Sequence, residues 1–264
     1  MKERLLLLCM TYPTESRKYG SSVCMAGITD EGEFRRIYPV PYEVFRNRKD
    51  RFKKRHYIEY EIREKGDYRK ESFKVYPESI RVLSDEVDYD EGIRVIGQRH
   101  ASTLEDLQLA WKEDRTSLGI IKPALLDMKV IGNKQSDTTI QSTLNDGGIM
   151  PEMLKHSFIY HFHCSESCSY IHKCSCLDTE IGQLYRKLKK ANSLDLAAAK
   201  VKDRFVTWMK ETREPYFMMG THSYHPNKWM VISVLYPKKR NQTSLGAFGG
   251  SDRIMSPVDT QLQR

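Results

Sequence analysis

Almost nothing in the first 85 or so residues reads as helix, and that limits what this chain can fold into more than any other feature. Residues 4–10 (RLLLLCM) read as a buried strand. Two β-prone runs, SVCMAGI (22–28) and EFRRIYPVP (33–41), flank the turn Thr29-Asp30-Glu31-Gly32 and make a hairpin. YIEYEIR (57–63) alternates, with Ile58, Tyr60 and Ile62 on one face and Glu59, Glu61 and Arg63 on the other. ESFKVYP and ESIRVLSDEV follow as strands. The natural closure for five or six such strands is a small antiparallel barrel of the OB or SH3-like kind.

After the first 85 or so residues helices enter. DEGIRVIGQRH (90–100) and STLEDLQLAWKED (102–114) read as helical, with Ser102 as N-cap, Glu105 at the capping-box position, and Leu104, Leu107 and Trp111 on one face. SLGIIKPALLDMKVIG (117–132) and HSFIYHFHC (156–164) return to strand. Residues 178–193 are helical, as is the segment to Thr212, where Ala198, Val201, Phe205, Trp208 and Met209 form an apolar stripe. YFMMG and KWMVISVLYP (228–237) are strands. The expected class is α+β: an OB-like β-barrel over 1–97, a mixed α+β domain with a Cys/His cluster over 98–237, and a flexible tail over 238–264.

The chain has 264 residues, 30% of them charged and 10% aromatic, as in ordinary water-soluble domains. Its opening, MKERLLLLCMTYP, has too short an apolar run for a signal peptide, and an acidic residue, Glu3, sits in the basic flank. No stretch approaches the roughly 20 apolar residues that span a membrane. A cytoplasmic, non-membrane protein is expected, so disulfides are not the default fate of its thiols.

Ser16, Arg17, Lys18 and Gly20, then Cys24, Ala26 and Gly27, then Gly32, Phe34 and Arg36 form a Ser-Arg-Lys-x-Gly element, a Cys-x-Ala-Gly strand and a Gly-x-aromatic-x-Arg strand. This order resembles the opening of the dual-OB-containing domain family, and SLGIIKP (117–123) is similar to a later strand there. The likeness covers the first half of the chain and leaves out its cysteine-rich part. It departs from the family at Phe34, where Trp is expected, and at Tyr38-Pro39-Val40-Pro41. The resemblance implies a pair of OB-like barrels and no particular reaction.

RNRKDRFKKR (46–55) concentrates Arg46, Arg48, Lys49, Arg51, Lys53, Lys54 and Arg55 around one acid, Asp50, and supplies most of the net charge of +8. Phe45, Phe52, His56 and Tyr57 are interleaved with these cations. Cations neutralise phosphates and aromatics stack on bases, so nucleic acid, DNA or RNA and preferably single-stranded, is the expected partner. Arg17, Lys18, Arg35 and Arg36 extend the same face if the barrel forms. The plainer reading is a solvated loop.

FHCSESCSYIHKCSC (162–176) holds Cys164, Cys168, Cys174 and Cys176 around His172. Thiolates and imidazole are zinc donors, and a structural site needs four. The leading expectation is structural Zn²⁺ on Cys164, Cys168, His172 and one or both of Cys174 and Cys176. The alternatives are buried thiols without metal, a redox pair, or an iron–sulfur cluster. Cys9 and Cys24 fall in barrel strands and read as core.

Candidates for catalysis are sparse. Asp178 and Glu180 precede a basic helix and, with His172, suggest a metal-dependent phosphodiesterase; the plainer reading is N-cap and first-turn acids. His222 and His225 in THSYHPNKW suggest acid–base machinery or simply a turn. No Walker, Rossmann, nucleophile-elbow or HExxH pattern occurs. The expectation is a nucleic-acid-binding protein with a structural metal site. A metal-dependent nuclease and a protein-interaction adaptor are the alternatives.

Overall fold

The computed structural model describes residues 1–16, 20–42, 44, 53–88, 103–133 and 154–239. Arg17, Lys18, Arg46, Arg48, Lys49, Arg51, Phe52, the expected helix 90–100, Ser102 and the tail from 240 lie outside them.

The first half is built from β1 (Lys2–Met10), β2 (Thr14–Ser16), β3 (Gly20–Thr29), β4 (Phe34–Pro41), β5 (Tyr57–Lys65), β6 (Ser72–Val75) and β7 (Arg81–Val82). Five of these close into a barrel in the cyclic order β1-β3-β4-β6-β5-β1. All contacts around the ring are antiparallel except β4 with β6. The hairpin turns where expected, on Gly32 at φ 80, a value that suits glycine. Of the expected strand 78–87 only Arg81–Val82 pairs. Pro77, which lacks an N–H, opens a short 3₁₀ turn, and the Ser79 hydroxyl accepts the Glu61 N–H at 2.9 Å.

The second half contains α1 (Leu104–Asp114), β8 (Leu118–Ile121), β9 (Ala124–Gly132), β10 (His156–His163), β11 (His172–Ser175), α2 (Thr179–Leu188), α3 (Leu194–Lys202), a π turn over Asp203–Thr207, α4 (Trp208–Thr212), β12 (Tyr216–Thr221) and β13 (Trp229–Leu235). The three-stranded sheets β11-β10-β9 and β13-β12-β8 meet at both edges to make a ring. Only Lys122 and Pro123 separate β8 from β9, and Cys176, just past β11, bridges Val231 of β13 in parallel. The Leu177 N–H donates to the Val231 carbonyl at 2.9 Å. Counting β8/β9 as one bent strand, the order is again first-second-third-fifth-fourth, with the lone parallel contact between third and fifth.

Packing explains the run Leu5–Leu8. Leu5 and Leu7 point into the first barrel with Val23, Met25, Ile58 and Tyr60. Leu6 and Leu8 point outward, into a cluster shared with Leu118, Ile120, Met218, Ile232 and Leu235 of the second half. A strand covered on both faces reads as continuous apolar sequence rather than alternation. The two halves therefore share a core. Tyr12 extends the contact onto α2, where a Cβ at Gly182 would meet its Cδ2 at 2.4 Å. The second core holds Phe158, Tyr160 and Phe162 of β10 together with the stripe residues Ala198, Val201, Phe205 and Met209. Among the described residues no helix is long and apolar enough to cross a membrane.

The cap of α1 differs from expectation by one residue. Thr103 is the N-cap: its Oγ1 accepts the Asp106 N–H at 3.0 Å, and Asp106 accepts the Thr103 N–H at 2.9 Å. The box pairs N-cap with N3, and that position holds Asp106. Glu105 is thereby left out of the cap.

Candidate metal centre and adjoining groove

Several cations expected on a nucleic-acid face are internal, which corrects that part of the sequence reading. Lys54 is 4% exposed, and its Nζ reaches Asp178 Oδ2 at 2.8 Å, Glu180 Oε1 at 3.0 Å, Ser233 Oγ at 3.3 Å and the Val234 carbonyl at 3.2 Å. Arg36 is 2% exposed and donates to the carbonyls of Ser117 at 2.9 Å and Thr221 at 3.2 Å. Arg35 is clamped on Glu3 and lies over the Phe73 ring. Arg55 pairs with Glu86 and donates to the Val87 carbonyl at 3.0 Å. Only Lys53 is exposed among the described cations of 46–55.

The same contacts account for Asp178 and Glu180. Asp178 is the N-cap of α2, accepting the Glu180 N–H at 2.7 Å, and its other oxygen accepts the Val234 N–H at 2.6 Å. Glu180 accepts the Tyr236 hydroxyl at 2.7 Å. Both carboxylates belong to the seam between the halves, away from any group of metal donors found among the described residues.

Cys164, Cys168 and His172 do converge, their ligand atoms all lying within 4.8 Å of one another. β10 delivers Cys164 at its end, a tight turn carries Cys168 (its N–H donates to the Ser165 carbonyl at 3.3 Å), and β11 returns with His172. His172 Nε2 lies 3.5 Å from Cys168 Sγ, and its ring is flanked by Phe162 and Tyr170. The carboxylate of Glu105 accepts the Cys164 thiol at 3.3 Å and stands 3.5 Å from His172 Nε2. Burial pushes the Cys164 thiol up to about 12, while a backbone hydrogen bond from Cys164 holds the Cys168 thiol below its ordinary value. Burial lowers the His172 imidazole, favouring the neutral form that can ligate a metal.

Cys174 and Cys176 do not join this group. Cys174 pairs across from Tyr160 in the core, where burial raises its thiol to about 12. Cys176 bridges to Val231, and burial raises its thiol as well. Alternation explains part of the separation: residues 172 and 174 share the inner face of β11, but consecutive inward positions are about 7 Å apart along a strand.

His222 and His225 stand on the loop between β12 and β13, ring centroids 5.6 Å apart. The Tyr224 N–H donates to His222 Nδ1 at 3.1 Å. Burial, then His225, Arg69 and Arg36, lower the His222 imidazole. This loop, β11 and α1 enclose a groove of about 830 Å³, lined among others by Tyr170, His172, Lys173, His222, His225 and Lys228. Tyr170, 67% exposed, sits at its edge. The sequence reading named the histidines and left out Tyr170, Lys173 and Lys228. Scattered over 60 residues, these show no local pattern, and only the third-strand and fourth-loop geometry brings them together.

Residues 1–98 match the family model described as domain of unknown function DUF8758, and residues 99–248 match the model described as domain of unknown function DUF8757. The second model covers more than half of the chain, which belongs to that family. No curated protein gives a significant match.

Proposed function

We propose that this member of the DUF8757 family is a single-stranded nucleic-acid-binding protein made of two OB folds, with zinc at Cys164, Cys168 and His172. The groove of the second barrel is its contact surface. The observation that carries this reading is the groove's position, between the third strand, β11, and the loop joining the fourth and fifth strands. Five-stranded Greek-key OB barrels bind oligonucleotides on the face of strands two and three and on this loop. The lining chemistry suits such a ligand: Lys173 and Lys228 for phosphates, Tyr170 and the His222–His225 pair for bases. Two thiolates and an imidazole form a borderline-soft donor set that favours zinc over magnesium or calcium. The seam carboxylates Asp178 and Glu180 are engaged by Lys54, which favours a binder over a nuclease that uses them.

Fluorescence anisotropy with labelled single-stranded DNA and RNA tests this. Binding should weaken steeply between 50 and 200 mM salt, as phosphate contacts require. Tyr170→Ala should cost about 1–3 kcal/mol of binding, as loss of one stacked base does. A Lys173→Glu, Lys228→Glu double variant should weaken binding across all sequences. No binding at low salt, or binding indifferent to these changes, refutes the groove as the contact surface.

A further inference from the structure

The Cys164–Cys168–His172 set has three protein donors, whereas a structural zinc site has four. The sequence offers Cys174 and Cys176 for the fourth place, and the fold keeps both out of the cluster. We infer that Glu105 of α1 is the fourth ligand, closing a tetrahedral Cys₂-His-Glu site that fastens α1 to the second barrel. This inference rests on the metal reading given above.

The geometry carries it. Zinc holds sulfur at about 2.3 Å and nitrogen or oxygen at about 2.0–2.2 Å, so a tetrahedron sets neighbouring ligand atoms roughly 3.3–3.8 Å apart. Three contacts fall in that range, 3.5 Å from Cys168 Sγ to His172 Nε2, 3.3 Å from Cys164 Sγ to Glu105 Oε2 and 3.5 Å from His172 Nε2 to Glu105 Oε1. The Cys164, Cys168 and His172 donors as a set lie within 4.8 Å of one another, so an ion would draw them slightly together. The two carboxylate oxygens thus divide between two of the three other donors, Oε2 beside Cys164 and Oε1 beside His172, and a small rotation of the side chain brings one oxygen in as the ligand. It comes from the opposite side of the cluster, on a helix nearly 60 residues upstream of Cys164.

The placement of α1 is consistent with this role. The Thr103–Asp106 box fixes its first turn without using Glu105. Leu107 packs on β8 so closely that a Cβ at Gly119 would lie 2.2 Å from its Cδ2. Helix seating and cap together aim Glu105 at the donors while leaving its side chain 56% exposed. An exposed carboxylate beside the buried Cys164 thiol is a ligand that solvent or a competing anion reaches readily. The metal also acquires a purpose in the groove. Leu104 and Gln108 of α1 line one side and His172 lines the same space, so an ion held by Glu105 and His172 fixes that wall.

The test is zinc affinity, measured on the full chain by competition with a chromophoric chelator, together with cobalt absorption spectra. Wild-type protein should bind one equivalent, with the intense visible bands of four-coordinate cobalt. Glu105→Gln, isosteric and still able to accept the Cys164 thiol, should bind zinc at least tenfold more weakly and change the cobalt bands. Glu105→Asp should recover part of the affinity, and Cys174→Ser should leave it unchanged. Circular dichroism of the metal-free variants should match that of the metal-free wild type. Equal zinc affinity of Glu105→Gln and wild type overturns the inference while leaving the metal site standing. A tenfold loss in Cys174→Ser, or three sulfurs by X-ray absorption, overturns it in favour of a third thiolate. A wild-type chain that takes up no metal overturns the metal reading itself, and this inference with it.

Discussion

The two barrels present the same loop, between their fourth and fifth strands, in opposite ways. In the first barrel this loop is GDYRKE (66–71), and its Arg69 and Glu71 are spent inside the molecule. Arg69 clamps Asp67 and donates to the Thr221 carbonyl at 2.9 Å, while Glu71 accepts from the Ser117 N–H at 2.9 Å and its hydroxyl at 2.7 Å. Arg36, on the neighbouring third strand, donates to the same Thr221 carbonyl and to the carbonyl of Ser117. In the second barrel the loop is HSYHPNK (222–228), with His222, Tyr224, His225, Asn227 and Lys228 all exposed beside the groove. Tyr68 of the first loop donates to the Ser223 carbonyl of the second at 2.6 Å, so the two loops meet. One barrel uses this face to dock its neighbour; the other leaves it open to a ligand. Charge density in the sequence is therefore a poor guide to charge on the surface.

Seam and groove should differ most in how they tolerate loss of a lysine. Lys54→Met should destabilise the protein by about 3–5 kcal/mol in urea unfolding, because Asp178 is left buried without its cation. The groove counterpart Lys228→Met should change stability by no more than about 0.5 kcal/mol. Equal effects would mean that seam and groove do not differ as described.

Metal removal should separate the barrels next. On the proposed zinc reading, a hundredfold excess of metal over Kd adds about 2.7 kcal/mol of stability to the folded second half. A chelator should lower Tm accordingly, with amide exchange rising first around 164–175 and α1. Protection in β1, β3 and β5 should hold longer, and uniform loss across both barrels would contradict this. Affinity should also rise with pH, since Cys164 is pushed up to about 12 and must release its proton to ligate.

Gly182→Ala should cost about 1–3 kcal/mol by overpacking against Tyr12, and Tyr12→Ala should relieve part of that in a double-mutant cycle. Additive effects would show that α2 and the first barrel are not in register there. The smallest effect concerns acid. Burial raises the Asp67 carboxyl, but the Arg69 hydrogen bonds outweigh it and leave it below the usual range. A depressed carboxyl adds stability above its unfolded pKa of about 3.9 that is lost as pH falls through the lower folded value. Asp67→Asn should therefore flatten the stability profile below about pH 4 and leave the 222–228 loop unaffected.

Much of the local structure was legible in the sequence. The alternation of YIEYEIR, the turn at Gly32 and the stripe from Ala198 to Met209 each obey a short-range rule, and each element formed. The convergence of Cys164, Cys168 and His172 was legible too, because a strand, a turn and a returning strand place residues eight apart together. The ring of the second half was not legible from local patterning and entered only as what the family resemblance implies. It closes through a single parallel bridge, Cys176 to Val231, between strands 55 residues apart, and no periodicity reports such a contact.

Spacing along the chain was enough to place most of the described strands and helices and to show which donors could meet in one turn. That Lys54 and Arg36 face inward, that Cys174 stays in the core and that Glu105 faces Cys164 and His172 follows from long-range packing alone. The physical reason is the same in each case. A side chain's chemistry is fixed by its residue type, but whether a charge meets water, a carboxylate or a metal depends on the surface packed against it. Here that surface comes from the other barrel or from a distant helix.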